Sequence, residues 1–81
     1  MDSSKFIAIA RLFNTKVITI SYDWAVQLYK KAKDLGFKIT LDSPHNGYTW
    51  HIHISGNNGK LNNLHIQIVK KAWDYLAKLL R

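Results

Sequence analysis

The chain has no cysteine and no glutamate, one proline, and no long apolar run. Without cysteine there is neither a disulfide nor a thiolate metal site, so the domain depends on its core. All five acids are aspartates. That is a poor supply for carboxylate-based two-metal chemistry, and no paired-carboxylate pattern is present. Also missing are a zincin helix, a nucleophile elbow and a phosphate-binding glycine loop. No segment approaches the roughly 18 apolar residues that span a bilayer, so no membrane partner is expected. "FIAIARLF" is too short for a signal peptide and lacks a small-residue cleavage site after it. Repeats, linkers and low-complexity segments are absent. The methionine start fits a complete small protein or an excised domain. The expected location is the cytoplasm, or a target cytoplasm if the chain is a delivered toxin domain.

What is abundant is positive charge. Twelve Lys and Arg against five acids give 81 residues a formal net charge of +7. Such a surplus points first to nucleic acid and second to an anionic membrane surface. Simple solubility is the plainer reading. The apolar content of 47%, carried by three Trp, four Tyr and three Phe, suffices for one small core.

Hydrophobic periodicity divides the chain into a 1–20 extension and a 21–81 core. "SKFIAIARLF" fits a short helix or a strand, and the β-branched "VITIS" a short strand. A helix is expected over about Tyr22 to Leu35. Ser21 can cap it, Asp23 lies in its first turn, and Gly36 closes it. Its stripe is Ala25, Leu28, Ala32 and Leu35. Three alternating segments follow: "FKITL", "YTWHIHIS" with Tyr48, Trp50, Ile52 and Ile54 facing inward, and "LHIQI" with Leu64, Ile66 and Ile68 inward. "DSPHNG" and "GNNGKLNN" are the turns between them. "LNNLHIQIVKKAW" can also be read as one helix, but its β-branched alternation favours a strand. A last helix over about 69 to 80 carries the stripe Val69, Ala72, Trp73, Leu76 and Leu80. The expected fold is α+β, in the order α-β-β-β-α, with a three-stranded antiparallel sheet, two helices on one face and a short N-terminal extension.

Period-two alternation puts His51 and His53 on the face opposite Ile52 and Ile54, and His65 and Gln67 opposite Leu64 and Ile66. If these strands form a hairpin, four polar side chains share the sheet face that the helices leave open, about 5 Å apart across strands. His51, His53 and His65 are then candidates for acid–base phosphodiester cleavage without a metal, since imidazole titrates near neutrality. Three imidazoles can also hold Zn²⁺, contact RNA, or merely cover a sheet. The favoured expectation involves neither a metal nor another cofactor. His45 is placed on a turn outside this cluster.

The segment from Gly36 to Leu80 resembles the double-stranded-RNA-binding domain. "SPHNGYTWHIHISG" is similar to the family's stretch of a Pro and a His before an aromatic and alternating aliphatics. "VKKAWDYLAKLL" is similar to its final helix. The resemblance implies that His45 enters an RNA minor groove and that Lys70 and Lys71 contact phosphates. Lys30, Lys31 and Lys60 are further candidates for phosphate contact. "LGFKITLDSPHNGYTWHIHI" is also similar in order to the HicA-type toxins, small ribonucleases of the same fold that use a strand histidine, here His51 or His53. The primary expectation is an RNA-binding domain, and the runner-up a toxin-like ribonuclease. A protein-binding inhibitor or interaction module is third, which exposure of Trp24 or Tyr22 would favour. A protein partner such as an antitoxin would fit the toxin reading.

Overall fold

A computed structural model describes residues 3–56 and 61–80, apart from the side chain of Asn62. The elements run α1 (Ser3–Leu12), α2 (Tyr22–Asp34), β1 (Lys38–Asp42), β2 (His51–Gly56), β3 (Leu61–Gln67) and α3 (Lys70–Leu80). The expected α-β-β-β-α order is present, preceded by α1. The sheet order is β1-β2-β3, antiparallel throughout. None of the described helices is long and apolar enough to cross a membrane.

The extension resolves as a helix because Phe6, Ile7 and Ala10 recur at helical spacing and are buried. Phe6 packs against Phe37 with ring centroids 5.3 Å apart, so α1 completes the core between α2 and the sheet. The β-branched "VITIS" does not form a strand. Only Ile20 pairs, in a parallel bridge to Ile68, while Val17 is 89% exposed. Propensity loses here because the segment must turn across the edge of β3. The Asn14 side chain accepts a hydrogen bond from the His65 N–H at 2.8 Å, and the Ile20 N–H donates to the Gln67 carbonyl. An edge that would otherwise offer free pairing groups is thereby occupied.

Helix α2 begins at Ser21, whose backbone is extended as at an N-cap although its hydroxyl makes no capping bond. It ends as expected at Gly36, with φ +85°. The Phe37 N–H donates to the Ala32 carbonyl and the Gly36 N–H to that of Lys33, the pair of bonds that defines a Schellman motif. The ambiguous stretch before α3 is a strand, and the helix starts only at Lys70. Leu80, expected in the α3 stripe, is exposed, whereas Ala72 and Leu76 are buried. Helix α3 is tied to the sheet at the other end. The Trp73 indole N–H donates to the Asp42 carbonyl at 3.0 Å, and Trp50 meets Trp73 edge-on at 4.7 Å.

Ile52, Ile54, Leu64, Ile66 and Ile68 form the apolar sheet face under the helices. The opposite face is polar but not open. Gln67 is buried there, with its amide used at both ends: Oε1 accepts from the Thr49 N–H at 3.1 Å and Nε2 donates to the Ile18 carbonyl at 3.1 Å. One side chain thus fastens two distant segments to β3.

Gln67→Ala should therefore destabilise the domain by roughly 2 kcal/mol, since it empties a buried position and takes the partner from the Thr49 N–H and the Ile18 carbonyl. Thr19→Ala, at an exposed position, should cost less than about 0.5 kcal/mol. Urea titrations of the two variants check this, and equal effects would remove Gln67 from its fastening role.

Candidate functional site

The site is built on the sheet's polar face by strand register. Asp42 pairs with His51 and His51 with Gln67; one step along, Thr40 pairs with His53 and His53 with His65. The three expected histidines are therefore neighbours. Their ring centroids lie 5.5 Å apart for His51 and His65 and 4.7 Å for His53 and His65.

Two expectations fail. His51 is fully buried rather than exposed, and His45 lies inside the cluster rather than outside it. Both corrections follow from the Asn46-Gly47 turn. These residues have φ of +51° and +85°, the left-handed pair of a type I′ turn. The turn joins a two-residue hairpin in which His45 and Tyr48 exchange backbone hydrogen bonds. The hairpin folds back over the sheet, bringing the His45 ring to 5.0 Å and the Tyr48 ring to 5.1 Å from His51. Tyr48, expected inward beside Trp50, instead caps the polar face, because the alternation breaks before β2 begins at His51.

The cluster divides by depth. His51 is interior. Its Nδ1 lies 2.7 Å from the Thr49 carbonyl, which can only accept, so Nδ1 carries the proton. His53 and His65 are half-buried and reach solvent. The His53 Nδ1 lies 3.3 Å from the Thr40 hydroxyl. Tyr48 stacks on His65 at 5.1 Å and 23°, and the Lys16 ammonium sits 4.9 Å above the Tyr48 ring. The His65 pKa is lowered from 6.5, first by burial and then by His53 and His51, with Asp42 opposing and His45 adding slightly.

The lysines are dispersed. Lys70 is paired with Asp74 at 2.9 Å and lies over Trp50, while Lys71 lies over Tyr22. Lys30 and Lys31 are on α2, in the helical layer across the sheet from the rings. Lys60 lies outside the described residues. Trp24 is 56% exposed beside a shallow groove lined by Phe6, Ile9, Leu28 and Lys31; Tyr22 is half-buried. Asp42, Tyr48 and Lys16 were missed as site residues. The Asn-Gly pair is a strong hairpin signal and could have placed Tyr48 opposite His45, whereas no local pattern announces Lys16. Comparison of the chain with family models, curated proteins and solved structures returns no match.

Two outcomes test this division. His51→Ala should cost roughly 2–4 kcal/mol, as for a filled interior site, and His53→Ala less than about 1 kcal/mol. In chelator-treated protein, an NMR titration should place the His65 midpoint below 6.5. The folded state then holds that proton less tightly than the unfolded chain. Its contribution to stability is full above 6.5 and declines as pH falls through the folded midpoint. His65→Gln should flatten that part of the stability profile.

Proposed function

We propose that the protein binds RNA through the half-open ring platform on the polar sheet face. The observation that carries this reading is the stack of Lys16 over Tyr48 over His65. A cation beside half-buried rings suits a phosphate beside a stacked base. The net charge of +7 supplies the long-range attraction. His45 sits on the same roof, at the turn that the double-stranded-RNA-binding resemblance assigns to RNA contact. Lys71 and Lys70 can add phosphate contacts from the start of α3. The Lys70–Asp74 pair is exposed and therefore weak enough to exchange for a phosphate.

A second reading, metal-independent RNA cleavage of the toxin type, is favoured by the spacing of His53 and His65. With one ring accepting the 2′-hydroxyl proton, that oxygen attacks phosphorus. The other ring protonates the departing 5′ oxygen, leaving a 2′,3′-cyclic phosphate. His51 takes no direct part in this step, because no atom of its side chain reaches solvent.

Labelled single-stranded RNA, duplex RNA and duplex DNA test both readings. RNA should bind with an affinity that falls steeply with salt, and Lys16→Ala should reduce the salt slope by about one. Tyr48→Ala should cost roughly 1–3 kcal/mol of binding, the usual worth of a stacked base. RNA affinity that is no better than duplex DNA affinity, or that ignores both substitutions, removes the platform. Cleavage with no added metal should end in a cyclic phosphate and fall roughly 10²–10⁴-fold in His53→Ala and His65→Ala. Binding without any cleavage leaves the first reading standing and ends the second.

A further inference from the structure

Beside the ring platform lies a cluster that RNA contact does not explain. Asp42, His45 and His51 each offer one ligand atom, and the three atoms lie within 4.8 Å of one another. The His51 side chain is 0% exposed, and its buried Nε2 has no hydrogen-bond partner among the described residues. Because Nδ1 already donates to Thr49, Nε2 is the nitrogen left facing the cluster, and in the neutral form of the ring it carries an unshared lone pair. The nearest atom there is an Asp42 carboxylate oxygen at 3.3 Å, in a geometry that is not a hydrogen bond. A lone pair facing a carboxylate inside a protein is a costly arrangement unless a cation stands between them.

The second histidine has its ring proton held in the same way. His45 Nδ1 lies 2.8 Å from the Ser43 carbonyl, so it too is the donor and leaves Nε2 basic. A ring N–H held by a carbonyl, with the other nitrogen free, is the usual support of a metal-bound imidazole. Asp42 is itself anchored, since its carbonyl accepts from Trp73.

We propose that Asp42, His45 and His51 bind a divalent transition-metal ion, Zn²⁺ being the fitting probe. Two imidazoles and a carboxylate suit zinc rather than magnesium or calcium, which prefer all-oxygen sites. Three protein ligands leave a fourth position, and the exposure of His45 opens the cluster to an entering ion. Tetrahedral zinc sets its ligand atoms roughly 3.3 Å apart. The cluster therefore has to contract by about 1–1.5 Å, a movement that the exposed His45 turn can supply. Coordination clamps that hairpin, and Tyr48 with it, onto β1 and β2. A proton on Nε2 is the rival occupant, giving an imidazolium–carboxylate pair instead.

The test uses untagged full-length protein, stripped with chelator and dialysed. Calorimetry with Zn²⁺ should show one ion per chain, and Zn²⁺ should raise Tm. Co²⁺ should develop visible absorption characteristic of nitrogen and oxygen ligands. His45→Ala and Asp42→Asn, both at positions that tolerate change better than buried His51, should weaken Zn²⁺ binding by roughly 100-fold or more. His53→Ala should retain the affinity. Absence of saturable binding at about 100 μM Zn²⁺ overturns the proposal. So does binding that survives both ligand substitutions, or binding that His53→Ala weakens as much as they do. A His51 Nε2 that NMR shows protonated at neutral pH and undisturbed by Zn²⁺ assigns the site to the proton.

Discussion

A single buried amide holds the polar side of this domain together. Gln67 cannot be left unpaired inside the protein, since a buried donor or acceptor without a partner costs about 1–3 kcal/mol. Its two ends are satisfied by Thr49 and Ile18, residues 18 and 49 positions away. Meeting that demand brings the chain after α1 and the loop before β2 onto the same strand. The loop that roofs His51 and the segment that carries Lys16 are both fastened through it.

The roof gives two chemically different ends to one row of histidines. At the roofed end, His51 and His45 have their Nδ1 protons held by carbonyls, with Asp42 adjacent. Toward the other end, His53 and His65 keep contact with water, and Tyr48 and Lys16 add a ring and a cation. Four similar side chains are thereby set in two different surroundings, one walled by carbonyls and a carboxylate, the other by water, a ring and a cation. The helical layer takes no part in this division. It supplies the apolar support under β2 and β3 and fixes Asp42 through Trp73.

Much of the fold was legible in advance. The Ala25, Leu28 and Ala32 stripe, the glycine after α2 and the alternation of Ile52, Ile54, Leu64 and Ile66 each report a local period, and each element formed where that period indicated. The errors fall where local preference met a distant demand. "VITIS" has strand propensity, yet its backbone is spent crossing the β3 edge. Tyr48 continues the strand alternation on paper, yet the Asn46-Gly47 turn reverses the chain just before it. Three of the four candidate-site histidines were grouped correctly, because strand register alone brings His51, His53 and His65 together.

The sequence by itself determined the net charge, the two helices and three strands that carry a clear period, and the face on which each strand histidine lies. Those properties follow from composition and from the 3.6- and 2-residue repeats of backbone geometry. Only the tertiary structure decided that the polar face is roofed, that His51 is interior, and that Asp42, His45, Tyr48 and Lys16 join the histidines. The physical reason is that these features rest on hydrogen bonds and ring contacts between residues far apart in the chain. Asn14 with His65 and Ile18 with Gln67 are such pairs. No local period encodes them, and they form only once the sheet has placed its buried polar groups in need of partners.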